Sequence, residues 1–265
     1  MELPLTPSDG AQRKPRMPPP LRPPREHARR PLAARLLVGR TPGGSAEPHD
    51  GRDEAAGLVG PAHVRASDLE RVVAGETGAP VFAALDVPPE RLSAEPPVPV
   101  VRYLLDVSAD ELDEALELDA PGPVAMRVRG GGGDGGITVR ECAERAVAAG
   151  RSLVLPVDAG AGDVADFQSS FVHSDAGYLA EVDDAAGVVR VLACAVAGIS
   201  GGDVRAAFDR PDVDYLLSLS DMAADAVRGL LLGVLVPDPR TVAEELAALG
   251  FGAQGAAEEV PDWYS

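Results

Sequence analysis

Three aspartates stand where short apolar segments end. Asp86, Asp106 and Asp158 each follow a run of apolar residues that is typical of a buried strand. In folds built on parallel strands, ligands bind at the carboxyl ends of the strands, where such residues meet. Carboxylate oxygens are preferred ligands of Mg²⁺ and Mn²⁺. We therefore predict that these aspartates hold a divalent metal, with Asp106 and Asp158 as catalytic acid or base groups. The alternative is that they only begin turns and cap helices.

Further polar residues are candidates for the same edge. Arg127 and Arg129 lie at the end of the apolar segment 124–128, where guanidinium groups could clamp an anionic substrate. His173, with Asp175 nearby, could serve as a general base on a loop. The His and Cys residues show no zinc-ligand spacing, and the sequence has no G-x-S-x-G elbow. The pattern therefore favours acid/base or metal-assisted chemistry over a structural zinc site or a serine hydrolase.

A glycine turn follows the apolar run 188–196. The segment 197–207, AGISGGDVRAA, places its glycines before an acidic residue that opens a D-V-R-A run. It resembles the phosphate-binding turn of phosphate-binding (β/α)8-barrel enzymes, in which backbone N–H groups at a helix start face a phosphate. The resemblance implies phosphate contacts at Gly198, Ser200, Gly201 and Gly202, and at Ser220 beyond the next apolar run. The alternative is that Ser200 simply caps a helix.

A second glycine-rich loop, GGGGDGG at 130–136, lies between a predicted strand and a predicted helix. Gly130, Gly132 and Gly135 form a G-x-G-x-x-G pattern, and Asp158 ends the next strand, where a dinucleotide-binding domain places its ribose-binding acid. The loop therefore supports an alternative function, a nucleotide-binding α/β protein. The other interpretation is a flexible loop, because six glycines in seven residues match many glycine patterns.

Residue usage argues against several classes of enzyme. Lys14 is the only lysine and lies in a proline-rich segment, so Schiff-base and pyridoxal-phosphate chemistry are disfavoured. A Walker A loop needs a lysine that the chain lacks, so we expect neither a P-loop NTPase nor a protein kinase. Asparagine is absent and isoleucine occurs only at positions 137 and 199, a bias typical of a high-GC bacterial genome.

Charge is distributed unevenly along the chain. The formal net charge is −18, and residues 57–265 carry 14 basic and 35 acidic side chains. A surface this acidic repels a phosphate backbone, so we predict no nucleic-acid partner. No apolar run reaches the roughly 18–20 residues of a membrane span, so we predict no membrane partner. Cys142 and Cys194 make no CxxC motif, which indicates thiols in a reducing, cytoplasmic compartment.

Apolar runs and helix signals alternate from residue 57 onward. Strands are predicted near residues 57, 80, 100, 124, 153, 188, 213 and 234, and most are followed by a helix. Residues 188–219 show the pattern as one β–α–β unit. We predict an α/β fold, a (β/α)8 barrel of the TIM type that is small and could be incomplete. An open doubly wound parallel sheet is the alternative.

Three regions follow from this pattern: a disordered tail rich in proline and arginine at 1–56, an α/β domain at 57–252, and an irregular tail at 253–265. For the domain we predict a cytoplasmic lyase or isomerase that acts on an anionic or carbonyl-bearing metabolite at the carboxyl rim of the barrel. The reaction class rests on analogy between folds. Besides nucleotide binding, a non-catalytic scaffold or interaction protein is the remaining alternative.

Overall fold

Parallel strands alternate with helices to form a nearly closed barrel. The computed structural model describes residues 31–43, 55–72, 79–130 and 136–252. The strands are β1 (Leu37–Gly39), β2 (Ala62–Arg65), β3 (Val81–Ala84), β4 (Val100–Ser108), β5 (Val124–Arg129), β6 (Ser152–Leu155), β7 (Tyr178–Glu181) and β8 (Leu231–Val236). They lie in the order β1-β8-β7-β6-β5-β4-β3-β2, and every paired strand is parallel to its neighbour.

The two ends of this sheet meet beside Leu37. The Gly60 N–H donates to the Leu37 carbonyl oxygen at 2.7 Å, and Leu37 forms an isolated parallel bridge with Val59, shortly before β2. This seam places β1 next to β2 and curls the sheet into a barrel. The predicted barrel of the TIM type is therefore confirmed.

Helices surround the barrel. Among the described residues they are α1 (Leu69–Val72), α2 (Leu112–Leu116), α3 (Val139–Ala148), α4 (Ala161–Phe171), α5 (Ala185–Ser200), α6 (Val204–Asp209), α7 (Val213–Leu217), α8 (Asp221–Leu230) and α9 (Pro239–Leu246). Short 3-10 turns (Ala56–Leu58, Ala66–Asp68, Pro89–Arg91) and a π-helical turn (Ala247–Phe251) complete the set. In the part of the chain that the structure describes, no helix is both long enough and apolar enough to cross a membrane.

The apolar core has an inner and an outer part. The inner part fills the barrel with one residue from each strand except β2: Val38, Phe82, Leu104, Ala125, Val154, Leu179 and Leu235. The outer part is larger and packs the other face of the strands against the helices. Side chains alternate between these two faces along a strand, so the inner set identifies the other residues that point into the barrel.

The predicted strands near 188 and 213 are wrong, because both segments are helical. α5 is 16 residues long, and ten of its residues are buried. A helix that is buried on most sides has a continuous apolar sequence, so periodicity alone does not distinguish it from a buried strand. The start of α5 is set by Asp184, whose carboxylate accepts from the Gly187 N–H at 2.7 Å. α7 begins in the same way, because Asp212 accepts from the Tyr215 N–H at 2.9 Å.

The barrel begins earlier in the chain than composition indicated. β1 lies inside the segment 1–56 that was predicted to be a disordered tail, and Leu37 pairs with Val234 of β8. The predicted strand near 57 is the 3-10 turn Ala56–Leu58 instead. Residues 1–30, 44–54 and 253–265 lie outside the described residues, so the predictions for those parts of the two tails stay predictions.

Candidate functional site

Charged side chains line the barrel just above its inner apolar layer. Asp106, Arg127 and Glu181 each follow an inner apolar residue by two positions on β4, β5 and β7, so they point into the barrel at its carboxyl rim. Arg40 follows Val38 by two positions, directly after β1. In barrels of this type the carboxyl rim carries the active site.

Glu181 lies between two arginines. Its Oε1 is 2.8 Å from Arg40 Nε and 3.8 Å from Arg127 Nη1. The side chains of Glu181 and Arg127 are only 10% and 11% exposed. The buried guanidinium of Arg127 and the partly buried guanidinium of Arg40 therefore face a single buried carboxylate, so two positive charges stand against one negative charge in this inner part of the rim.

The acidic partners that balance this charge lie closer to solvent. Asp106 Oδ1 is 3.1 Å from Arg127 Nε, and Asp106 Oδ2 is 3.2 Å from Arg129 Nη2, but the Asp106 side chain is 54% exposed. Arg40 Nη2 reaches outward in the same way and contacts Asp183 Oδ1 and the Val182 carbonyl oxygen, both at 2.6 Å. Arg40 and Arg127 thus each contact the buried Glu181 and one exposed aspartate.

His63 is the β2 side chain of the barrel interior. It pairs in register with Phe82 of the inner core, and only 3% of its surface is exposed. Its Nδ1 lies 2.8 Å from the Gly39 carbonyl oxygen. A carbonyl can only accept, so Nδ1 carries the hydrogen and Nε2 is the unprotonated nitrogen. Nε2 is buried and has no hydrogen-bond partner among the described residues.

Burial is the main influence on His63. It lowers the pKa of the imidazole below its usual value, and the positive charge of Arg127 lowers it further, while the bond to Gly39 and the charge of Asp106 act in the opposite direction. His63 is therefore a neutral base at neutral pH, and it is coupled to the same two charges that form the rim.

A cleft of about 170 Å³ opens beside Glu181. Its lining includes Glu181 and Asp183 on one side and the apolar Leu155, Val164 and Val191 on the other. The cleft lies where β6 and β7 end and α4 and α5 begin, and Arg190 is the arginine in its lining. Glu181 is therefore the residue that the cleft shares with the arginine cluster of the rim.

The three aspartates predicted to hold a metal are not brought together. Asp86 accepts hydrogen bonds from the backbone N–H and the hydroxyl of Ser67, at 2.9 and 2.6 Å, and so fixes the turn before α1. Asp158 is exposed beyond β6. Asp106 faces two guanidinium groups, which would repel a cation. In the described ranges no group of three His, Cys, Asp or Glu side chains is placed to hold a metal ion, so we derive no step through Mg²⁺ or Mn²⁺.

His173 lies at the other end of the barrel. It is exposed in the connection between α4 and β7, and α4 carries the chain back from the carboxyl rim to the amino-terminal side. The structure therefore does not bring this histidine together with Asp106 and Asp158, the other residues predicted to be catalytic.

The predicted phosphate turn has a different role. Because 188–196 is helical, Gly198 and Ser200 belong to the last turns of α5, about 24 Å of helix away from the rim where α5 starts. The Ser200 hydroxyl donates to the Val196 carbonyl at 2.8 Å, Gly201 ends the helix with φ +71°, and the Gly202 N–H donates to Ala197. No strand precedes this turn, so the resemblance to a phosphate-binding turn is wrong.

Ser220 and the other glycine loop complete the set of predicted residues. Ser220 does not follow a strand; its hydroxyl accepts from the Ala223 N–H and caps α8. Residues 131–135 lie outside the described residues, so nucleotide binding by the loop 130–136 stays a prediction. Arg129, just before that loop, contacts Asp106 of the rim as described above.

Arg40, His63 and Glu181 were missed because their strands were not predicted. β1, β2 and β7 have three or four residues each, too few to show a clear period. One signal was present. AHVR carries polar residues at alternate positions, His63 and Arg65, and YLAE ends an apolar run with Glu181; a polar residue on the inner face of a barrel strand is a functional candidate.

The comparisons with known proteins give no relative for this chain: no family model matches it, and neither the curated proteins nor the solved structures contain a match. The side chains at the carboxyl rim of the barrel are therefore the basis for a functional proposal.

Proposed function

We propose that this protein is an enzyme that binds a small anionic, carbonyl-bearing metabolite at the carboxyl rim of the barrel and catalyses a lyase or isomerase reaction. The observation that carries the proposal is that the guanidinium groups of Arg40, which is partly buried, and Arg127, which is buried, share the single buried carboxylate of Glu181. Their other acidic partners, Asp183 and Asp106, are exposed, so an anionic substrate can compete with these aspartates for the two guanidinium groups.

The same pair suits the chemistry of carbonyl compounds. When a proton leaves the carbon next to a carbonyl, negative charge develops on the carbonyl oxygen. Donors that are already oriented toward this oxygen stabilise the transition state more than the ground state. Arg40 is oriented by the hydrogen bonds that its Nη2 donates to the Val182 carbonyl and to Asp183, both at 2.6 Å, and Arg127 is held by its ion pair with Asp106 at 3.1 Å.

A reducing cytoplasmic compartment is part of the proposal. Cys142 and Cys194 are both free and buried. Burial raises the pKa of the Cys142 thiol, and it raises that of Cys194 to about 12, so both thiols stay protonated and unreactive. They support packing rather than redox chemistry.

The proposal is tested by anion binding to the full chain. We expect acetate, pyruvate and sulfate, titrated at constant ionic strength, to raise the melting temperature, because a ligand at about 100 times its Kd stabilises a single site by about 2.7 kcal/mol. Arg127→Met should abolish the rise, since it removes the guanidinium and keeps a similar stem.

Arg145→Met is the matched control. Arg145 also contacts an aspartate, Asp113, at 3.1 Å, but on the helical shell. This variant should respond to anions like the parent protein. An equal anion response in Arg127→Met and the parent would contradict the proposal.

A further inference from the structure

His63 has a fixed tautomer, and the lone pair of its Nε2 accepts no hydrogen bond from the described residues. The 2.8 Å contact of Nδ1 with the Gly39 carbonyl places the hydrogen on Nδ1, and Nε2 is buried without a partner in the described part of the chain. A buried acceptor without a partner loses the hydrogen bonds that water gives it in the unfolded chain, so it destabilises the folded protein. Such a group is retained most simply when a ligand or a proton engages it during function.

The charges around His63 are few. Arg127 of β5 and Asp106 of β4 act on it with opposite signs. β3 contributes the uncharged Phe82, which pairs with His63, and Ala84 beyond it. β1 contributes the Gly39 carbonyl, followed by Arg40, and on β2 itself the next residue on the same face is the exposed Arg65. Among these charges that of Arg127 acts most strongly on His63 and lowers its pKa, while Asp106 is exposed and is shared with Arg129.

We propose that the rim takes up its anion together with a proton, and that His63 Nε2 is the atom that holds this proton. The inference rests on the proposed function, because it concerns the same anion site. An anion against Arg127 offsets the charge that opposes protonation of His63. By reciprocity, a protonated His63 strengthens anion binding by the same factor.

In the proposed reaction the substrate binds while Nε2 is unprotonated, and the coupling stabilises the state that is reached once Nε2 has taken a proton from the substrate. When Nε2 accepts a proton from the carbon next to a carbonyl, the electron pair of the broken C–H bond moves to the carbonyl oxygen. The products of this step are an imidazolium and an oxyanion, the pair of charges that the rim would bind together. Return of the proton from Nε2 to another carbon completes an isomerisation, and loss of a leaving group from the neighbouring carbon completes an elimination.

The test follows the ring resonances of His63 in the full chain by NMR, from pH 8 to pH 5.5, with and without sulfate. Sulfate is chosen because it does not titrate in this range. The chain has four histidines, and the His63 signals are those that disappear in His63→Gln. We expect sulfate to raise the pKa of His63 by about one unit, and the affinity for sulfate to rise about tenfold as the pH falls through the His63 transition.

Two variants make the result specific. In His63→Gln, sulfate should still bind but with an affinity that no longer depends on pH. In Arg127→Met, the pKa of His63 should rise without sulfate and should not respond to it. If His63→Gln does not fold, the His63 signals of the parent protein are assigned from their contacts with Phe82, and the titration of the parent protein decides.

The experiment distinguishes failure of the proton coupling at His63 from failure of the proposed anion site. Sulfate binding that requires Arg127 but leaves the pKa of His63 unchanged would overturn the proton coupling and leave the proposed anion site intact. Absence of any sulfate binding that requires Arg127 would overturn both.

Discussion

Burial keeps His63 neutral in the folded protein, and this lowers the free energy of unfolding in acid. Its pKa is lower in the folded than in the unfolded state, mainly because of burial. Protonation therefore favours unfolding, and stability falls as the pH drops below about 6.5 toward the lower pKa of the folded protein, by at most about 1.4 kcal/mol per pH unit.

We expect urea unfolding in chloride buffers to show this loss between pH 7.5 and 5.5, where most carboxylates remain ionised. His63→Gln should remove it, because glutamine does not titrate and its amide can donate to Gly39. A slope that is the same in both proteins would show that another group causes the loss.

At the scale of residues, the sequence identified Asp106, Arg127 and Arg129 because they lie at the carboxyl ends of β4 and β5, two strands with clear apolar patterns. It did not identify Glu181, because a four-residue strand between two helices carries too little pattern. It also assigned Asp86 to a metal site, although Ser67 is close enough to bind both of its carboxylate oxygens. The donor that binds a given carboxylate depends on distances in the folded protein, and residue spacing along the chain does not show these distances.

Among the elements, α5 is packed most tightly at its first turn. A Cβ on Gly187 would lie 2.8 Å from the Cβ of Val182, closer than real contacts allow. The absent side chain therefore lets the helix start directly behind the end of β7, where Glu181 and Asp183 project toward the rim.

Gly187→Ala should destabilise the protein by about 1–3 kcal/mol, because the added methyl group forces α5 away from β7. Gly229 of α8 is the control, since nothing lies within 4 Å of a Cβ at that position. Gly229→Ala should stabilise by about 0.4–1 kcal/mol through the lower entropy of the unfolded chain. Thermal unfolding of both variants checks this, and equal effects would contradict the packing at Gly187.

The wrong prediction of a strand at 188–196, where the structure has α5, has a physical cause in the packing of this helix. A helix shows a 3.6-residue pattern only when one side of it meets water. α5 is covered by the barrel and by α4, α6 and α8, so apolar or small residues occupy every position except Arg190. Its length was the available evidence, because strands seldom continue for 16 residues.

For the molecule as a whole, the fold class could be predicted because alternating apolar runs and helix signals leave few arrangements open. The seam between β1 and β2 could not be predicted, because β1 is a three-residue strand in a segment rich in arginine and proline. Gly60 is central to that seam: a Cβ there would lie 2.5 Å from the Arg35 carbonyl oxygen and 3.1 Å from that of Leu37.

Gly60→Ala should therefore separate the two backbones at the seam and cost about 1–3 kcal/mol. Gly39→Ala is the control: Gly39 lies on β1, a Cβ there would meet the Thr41 carbonyl oxygen at an ordinary 3.6 Å, and the change should alter stability by less than about 0.5 kcal/mol. Hydrogen exchange of the amide at position 60, which donates to the Leu37 carbonyl oxygen across the seam at 2.7 Å, would report the opening. Equal protection in both variants would refute this role of Gly60.

The pairing of β1 with β8 also sets an order of events during synthesis. Leu37 pairs with Val234, a residue added 197 positions later. At about 5–20 residues per second, the ribosome needs roughly 10–40 s to make that partner. Until then the strand that carries Arg40 has an open edge on the side of β8, a surface that invites pairing with other chains. The rim is thus among the last parts of the nascent protein to be assembled, and anything that shields β1 during that interval protects the yield of active molecules.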